Sequence, residues 1–294
     1  MPNSITAQAA VTTVLDEVYC AASLTGDLRT STDLVRAGAN AKEIMIPKIK
    51  VDGLGDYDRS SGYTSSAVTM EWETVAFDYD RGTKITVDAM DNDEANGVGP
   101  FVRAGSELER LHVAPEGDAY TFAKVVQCAG AECDVDKAGV TYDDAATLLK
   151  ALSEASTKMD EGSVPQGRIL YITPTLMGKI NAYNQLTGDV DKANVMANFA
   201  KVVEVPQVRF YTAIDLADGK EKFGYSKAAT GGKDLNWLIV HPTAVIKVDK
   251  HVASRIFNPD ELEDLDAYMM KYRKYGLVDV YENKTVAVAY SHKA

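Results

Sequence analysis

The densest group of side chains that could bind a cation is acidic and lies between residues 88 and 94. It consists of Asp88, Asp91, Asp93 and Glu94. Carboxylates of this kind suit calcium, and a twelve-residue calcium loop could begin at Asp91. That loop would need an oxygen ligand at its fifth position and a glutamate at its twelfth, where Ala95 and Val102 stand. We therefore interpret the acids as residues at the start of a helix, where they meet the positive end of its dipole.

Histidine, cysteine and glycine spacings do not predict a catalytic or metal site either. The four histidines (112, 241, 251 and 292) form no HExxH motif. Cys20, Cys128 and Cys133 are an odd, sparse set, too widely spaced for a usual zinc knuckle, and are predicted to be reduced thiols. A phosphate loop at residues 227–234 would need glycine at Lys227 and Ser or Thr at Asp234. No Gly-x-Ser-x-Gly motif is present. We predict no catalytic residue, no cofactor and no metal.

The charge balance argues against tight nucleic-acid binding. The chain has 294 residues, with 31 basic and 43 acidic side chains and a net charge of −12. Binding to phosphates relies on Lys and Arg, so the surface is expected to be indifferent to DNA. No apolar run approaches the roughly 20 residues of a membrane helix. No basic region followed by an apolar run begins the sequence, so we expect neither a secretory signal nor a membrane span, and a cytosolic location.

The elements that would have to position any site begin with an arm and a hairpin. Residues 1–41 show a partial helical period and predict an arm that docks on something else. Residues 42–88 predict two extended runs around a glycine-rich polar tip, a turn at residues 80–82 and a further strand. Apolar residues change from even to odd positions after Trp72, which predicts a bulge or a twist near Thr74. An isolated two-stranded ribbon is marginal in water, so we expect it to lie against another subunit.

Helices and strands then alternate irregularly, which predicts an α+β fold. Residues 88–130 are predicted to be mostly helical, with a break near residues 113–115, after which Glu116 and Asp118 suit the first turn of a new helix. A clear amphipathic helix follows at residues 141–159, with Thr141 and Asp144 resembling a capping box. Another begins at Thr173-Pro174. Strands are predicted at residues 169–172, 202–211, 237–240, 277–281 and 285–290, the last two joined by a turn at 282–284.

In this order the elements resemble the major capsid proteins of tailed double-stranded DNA bacteriophages, whose fold is shared with encapsulins and herpesvirus capsids. In that family an extended loop of paired strands precedes a long spine helix, and an axial domain is followed by a return to the peripheral domain. The resemblance covers nearly the whole chain. The segments that carry it are residues 77–82, 88–94, 168–181, 238–244, 268–276 and 286–290.

The resemblance implies a division of the chain into five parts. These are an N-terminal arm (1–41), an extended loop formed by a β-hairpin (42–88), a spine helix with peripheral domain (89–135), an axial domain (136–240), and a return to the peripheral domain with the C-terminal strands (241–294). Some relatives cross-link covalently through a loop lysine. Lys48 and Lys50 lie near this loop, but the other end cannot be matched, so no cross-link is predicted.

The resemblance also implies the function and the partners. The chain would be a structural protein that self-assembles into hexamers and pentamers of an icosahedral shell, first as a procapsid, enclosing phage DNA without sequence-specific binding. A portal and possible decoration proteins are implied as partners. Since the sequence shows no long helical leader, a separate scaffolding protein is expected, or the chain is a mature product. The location would be the virion capsid, assembled in the cytoplasm of a host bacterium.

Five residues are the candidates for contact between subunits. Four are expected in the extended loop and one at its base, where it would form an ion pair or be an ordinary turn arginine: Tyr57, Arg59, Tyr63, Trp72 and Arg81. Two alternatives stay open. One is an encapsulin-like compartment shell with the same fold, and the other is a small cytosolic α+β enzyme or binding module.

Overall fold

A computed structural model describes most of the chain after its first 22 residues. The described segments are residues 23–28, 36–37, 43–54, 56–57, 59–60, 62–63, 67–94, 105–187, 195–262 and 265–294. Most of the predicted arm (1–41), including Cys20, lies outside them. Among the described helices, none has the length and apolar character needed to cross a bilayer.

The first sheet contains the predicted hairpin. It consists of β1 (Arg36–Ala37), β2 (Glu43–Val51) and β3 (Val68–Ala76), all antiparallel in that order. Pairing of β2 with β3 runs without a shift from Glu43 opposite Ala76 to Val51 opposite Val68. Of the bulge or twist predicted near Thr74, the bulge is therefore wrong. Each long strand extends for about 30 Å.

The second sheet joins the strand after the hairpin to two strands from the C-terminal part. It consists of β4 (Tyr79–Asp88), β10 (Val245–Phe257) and β11 (Ala267–Val280), in the antiparallel order β10-β11-β4. The predicted turn at residues 80–82 is wrong, since these residues lie inside β4 and pair with residues 273–275 of β11. Turn-forming residue types are held extended here by ion pairs of Asp80 with Arg273 and of Arg81 with Glu116.

A long helix crosses the second sheet. At residues 113–115, where the sequence predicted a break, the helix has a widened turn and continues. After the short helix α1 (Ala89–Glu94), residues 105–108 are helical, Glu109–Val113 form a π-helix, and α2 (Ala114–Ala129) continues it. The N–H of Ala114 donates to the carbonyl of Glu109, five residues back. Pro115 lacks an N–H and cannot donate to the preceding turn, so the helix widens before it without ending.

The third sheet forms the centre of the core. It consists of β5 (Ile169–Ile172), β6 (Lys201–Glu204), β9 (Leu235–Val240) and β12 (Val288–His292), in the order β12-β9-β5-β6. β5 and β6 are parallel, whereas β9 is antiparallel to both β5 and β12. Every residue of β5 and β9 is buried, which is typical of strands covered on both faces.

Helices cover both faces of the third sheet. α2 packs on one face through Phe122, whose ring contacts those of Tyr171 and Phe210 edge-on. On the other face lie α3 (Ala145–Glu161) and α4 (Pro174–Thr187), which bury Leu148 and Ile180 among others. Both helices were predicted. The predicted capping box is wrong, because Asp144 is the N-cap of α3 and makes no side-chain capping bond.

The chain's last segment connects the second sheet to the third. A hairpin with a turn at residues 282–284 was predicted, but β11 ends at Val280 and a 3₁₀ helix (Glu282–Ala287) carries the chain to β12 in the other sheet. A small ribbon of β7 (Ile214–Leu216) and β8 (Tyr225–Lys227) lies apart from the three sheets. The five domain boundaries stay predictions.

Candidate assembly surface

Exposed apolar side chains are concentrated on the β2–β3 hairpin. Half of the large apolar residues that the described chain exposes, seven of fourteen, lie within residues 51–72. They are Val51, Leu54, Tyr57, Tyr63, Val68, Met70 and Trp72. Contiguous apolar exposure on this scale marks an interaction surface on a folded protein.

The two halves of β3 direct apolar side chains to opposite faces. In the outer half, the even positions Val68, Met70 and Trp72 are 66, 51 and 37% exposed. In the inner half, the odd position Val75 packs against the chain's own core, and Phe77 just after the strand does the same. Because successive residues of a strand face opposite sides, the outer apolar face cannot reach the cluster that buries the inner one. The change of parity in the sequence therefore reflects two environments, a buried cluster for the inner half of β3 and an exposed face for the outer half.

The root of the hairpin is fixed to the second sheet. Ile44 and Phe77 form a buried cluster with Ile246 of β10 and Leu277 of β11. The Phe77 ring stacks on Tyr275 with 4.9 Å between centroids. Because the root of the hairpin is packed against β10 and β11, the outer half of the hairpin extends from a fixed base.

Four of the five candidate contact residues lie on this exposed part. Tyr57 and Tyr63 are 60 and 90% exposed, and their rings meet edge-on with centroids 4.9 Å apart. Arg59 is exposed in the turn between them. Trp72 lies farther back, on the even face of β3. The structure thus groups three of them at the tip, and their contact with another subunit stays a prediction.

Arg81 has its partners within its own chain. Its Nε lies 2.6 Å from Glu116 Oε1 and its Nη2 lies 3.2 Å from Oε2. Its guanidinium also donates to the carbonyls of Ala217 and Gly224, at 2.5 and 3.1 Å. The hydrogen bond to Glu116 raises the pKa of Arg81. Arg81 is thus an ion-pairing residue inside a strand, and it joins β4, α2 and the β7–β8 ribbon.

We expect the Arg81→Met variant to lose about 2 kcal/mol of unfolding free energy, because it leaves the largely buried Glu116 carboxylate without its cation. Urea denaturation of unassembled subunits measures the loss. The double variant Arg81→Met/Glu116→Leu should lose less than Arg81→Met alone. Arg110→Met is the matched control, since its ion pair with Glu107 is exposed and should be worth under about 1 kcal/mol. Equal losses for Arg81→Met and Arg110→Met would contradict this role.

Asp118 is a buried anchor that the sequence interpretation missed. Its carboxylate accepts hydrogen bonds from Ser23 Oγ (3.0 Å), from the backbone N–H of Leu24 (3.0 Å) and Thr25 (3.2 Å), and from Thr25 Oγ1 (2.7 Å). Arg209 Nη1 lies 3.3 Å from the same carboxylate. Asp118 is 1% exposed. Asp118 therefore attaches residues 23–25 to α2.

A second group of contacts holds the same segment. The buried Lys247 ammonium donates to the carbonyl and the hydroxyl of Thr25, at 3.3 and 2.7 Å. Leu28, at the end of the 3₁₀ turn Gly26–Leu28, is fully buried in the main core. The sequence does contain a signal for the anchor. Asp118 has the helical spacing of Phe122 and Val125, so a charge stands on an apolar face and requires a buried partner.

One cleft opens beside Arg81. It measures about 550 Å³ and lies between β4, the π-helical turn and the loop after β7. Arg81 and Glu116 line it but are bound to each other, and Phe223 is 81% exposed beside it. Within the described residues, no group of three His, Cys, Asp or Glu side chains is placed to hold a metal ion. Cys128 and Cys133 are free thiols.

Comparison with solved structures identifies the architecture. The fold is similar to the capsid of cyanophage P-SCSP1u, with a TM-score of 0.62, 17% identity and coverage of 93% of this chain and 88% of the other. It is similar to the mature capsid of bacteriophage PhiM1, with a TM-score of 0.62, 12% identity and coverage of 92 and 87%. A virus-like particle from Pyrococcus furiosus matches with a TM-score of 0.58, 11% identity and coverage of 97 and 98%.

These similarities define the fold as that of tailed-phage major capsid proteins, which confirms the predicted α+β capsid fold. They extend over nearly the full length of each chain, although the identities are low. No protein-family model and no curated protein sequence matches the chain. The labels of arm, spine helix, peripheral domain and axial domain stay predictions for the individual segments.

Proposed function

We propose that this protein is the major capsid subunit of a tailed bacteriophage, a structural protein without catalytic activity. The observation that carries the proposal is the β2–β3 hairpin, whose root is packed and whose outer half exposes an apolar face. The similarity of the whole chain to phage capsid proteins supports it. In the assembled shell a neighbouring copy would cover this face. Assembly would then bury the apolar side chains that are exposed in the folded subunit.

The remaining partners follow from the same proposal. Hexamers and pentamers of the chain would form an icosahedral shell around double-stranded DNA, assembled in the host cytoplasm with a separate scaffolding protein and a portal, and with decoration proteins in some cases. A net charge of −12 is consistent with a shell that does not bind the enclosed DNA tightly. The acidic balance opposes tight packing of DNA against the subunit.

An encapsulin-like compartment shell is the alternative closest to this proposal. It shares the fold and the assembly, and the virus-like particle from Pyrococcus furiosus matches along the full chain. The cargo of the particle distinguishes the two, because a phage shell contains DNA and a compartment shell contains protein. A small enzyme or binding module is the second alternative, and the described cleft supports it little, because Arg81 and Glu116 in its lining are bound to each other.

Mass in solution tests the proposal. Size-exclusion chromatography with light scattering should give species far above the 31.9 kDa subunit, either alone or with a co-expressed scaffolding protein. Rings of five and six subunits or closed shells support the proposal. A monomer or dimer at high concentration, with the scaffold present, would refute it.

A further inference from the structure

Three cations stand side by side across one face of the second sheet. Arg255 of β10 is paired with Lys271 of β11, and Lys271 is paired with Lys84 of β4. Residues directly opposite on antiparallel strands share a face, with Cβ atoms about 5 Å apart. All three side chains are exposed. We call Arg255, Lys271 and Lys84 the basic row.

The basic row has no acidic partner among the described residues. No ion pair within the described part of the chain includes any of the three. The next cation along β11, Arg273, differs, since its guanidinium lies 2.9 and 2.7 Å from the two Asp80 oxygens. Like charges directly opposite each other destabilise a sheet. A row of three cations on a chain of net charge −12 therefore indicates that an anionic group outside this subunit covers it.

The basic row lies on the side of the sheet away from the long helix. The opposite face is the one that packs inward, where Met270 and Tyr272 meet Leu108 and Val113 of the helix. On the row's own face, Met269 is buried on one side of the row, and the hairpin root covers Leu277 on the other. The basic row is therefore outside the subunit core and accessible to another molecule.

The same sheet ends in a cluster of exposed acids. They lie at the end of β4, in α1 and in the connection between β10 and β11. A hydrogen bond from the N–H of Ala89 to the carbonyl of Asp266 joins the first of these segments to the last. We call them the acidic end: Asp88, Asp91, Asp260, Glu261 and Asp266. Asp88 follows Lys84 by four residues, about 13 Å along an extended strand. At this distance Asp88 is too far away to pair with Lys84 of its own subunit.

We infer that the basic row binds the acidic end of a second copy of this chain. The inference rests on the proposed assembly function, and it assigns a charge-complementary contact separate from the apolar hairpin. The basic row and the acidic end do not form ion pairs with each other within the described subunit. Their opposite charges would attract each other between two subunits. DNA fits less well, because three cations give weak phosphate binding and the acids nearby would repel the backbone.

Charge exchange tests the inference in the full chain. Lys84→Glu/Lys271→Glu should raise the concentration needed for assembly at least tenfold, since like charges would then meet across the contact. Asp260→Lys/Asp266→Lys should have the same effect. The variant that combines all four changes should return to within about threefold of the original protein. Lys158→Glu/Lys222→Glu is the control, because it makes the same change in net charge at exposed positions elsewhere.

Sedimentation velocity of each variant, with circular dichroism to verify folding, separates the outcomes. If the original protein does not assemble at all, the proposed capsid function is wrong, independently of this contact. If it assembles and Lys84→Glu/Lys271→Glu assembles equally well, the inference is wrong. It is also wrong if the four changes together do not restore assembly. Normal assembly of Lys84→Glu/Lys271→Glu with lost affinity for a 30-base-pair duplex would assign the row to DNA and overturn the contact.

Discussion

Replacing Met70 and Trp72 with alanine is expected to raise the concentration at which the protein assembles about thirtyfold. The two side chains stand on the even face of β3, 51 and 37% exposed in the subunit. Burial of an aromatic anchor at a subunit interface is worth about 2 kcal/mol, which corresponds to that factor. Light scattering over a dilution series measures the concentration.

The opposite face of the same strand provides the control. Thr69→Ala/Glu71→Ala changes two exposed residues at odd positions and should leave assembly within about threefold of the original protein. Thermal unfolding of unassembled subunits should be nearly unchanged for both pairs, since none of the four side chains is part of a buried cluster. Equal effects of the two pairs on assembly would contradict the assignment of the even face as the contact surface.

The Asp118→Ala variant is expected to lose about 3 kcal/mol of unfolding free energy. The substitution removes an acceptor of four hydrogen bonds and leaves Arg209 without its carboxylate. Leu28 should also lose its burial when the segment that contains it undocks. Urea denaturation measures the loss, and limited proteolysis should cut near residues 23–28 faster.

Asp143→Ala serves as the control for the anchor. Its side chain is 92% exposed and its only described ion pair, with Lys179, is 4.0 Å long. A change under about 0.5 kcal/mol is expected there, as is usual for surface positions. If Asp118→Ala is as stable as Asp143→Ala, and its N-terminal segment is no easier to cut, Asp118 does not anchor that segment.

Elements defined by local periodicity could be predicted from the sequence. The amphipathic stripe of Leu148 and Leu152 predicted α3, and the proline after Thr173 predicted the start of α4. The hairpin was predicted from alternation around a polar tip. The order of these elements was sufficient to predict the capsid fold, because that order is what the fold family shares.

Features that depend on distant residues could not be predicted in the same way. The segment of Asp80 and Gly82 has the composition of a turn, yet pairing with β11, nearly two hundred residues later, holds it extended. The bulge expected near Thr74 assumed one environment for β3, whereas its halves face the core and the exterior. The basic row exists only because β4 is in register with two strands that follow it by more than 150 residues, β10 and β11.

The most direct test of the central claim is cryo-electron microscopy of the particles that the purified protein forms. We predict closed shells in which residues 51–72 of each subunit lie against a neighbouring copy, with Met70 and Trp72 buried in the contact. Particles whose hairpins extend into solvent, or a protein that forms no particles with its scaffold present, would contradict the account.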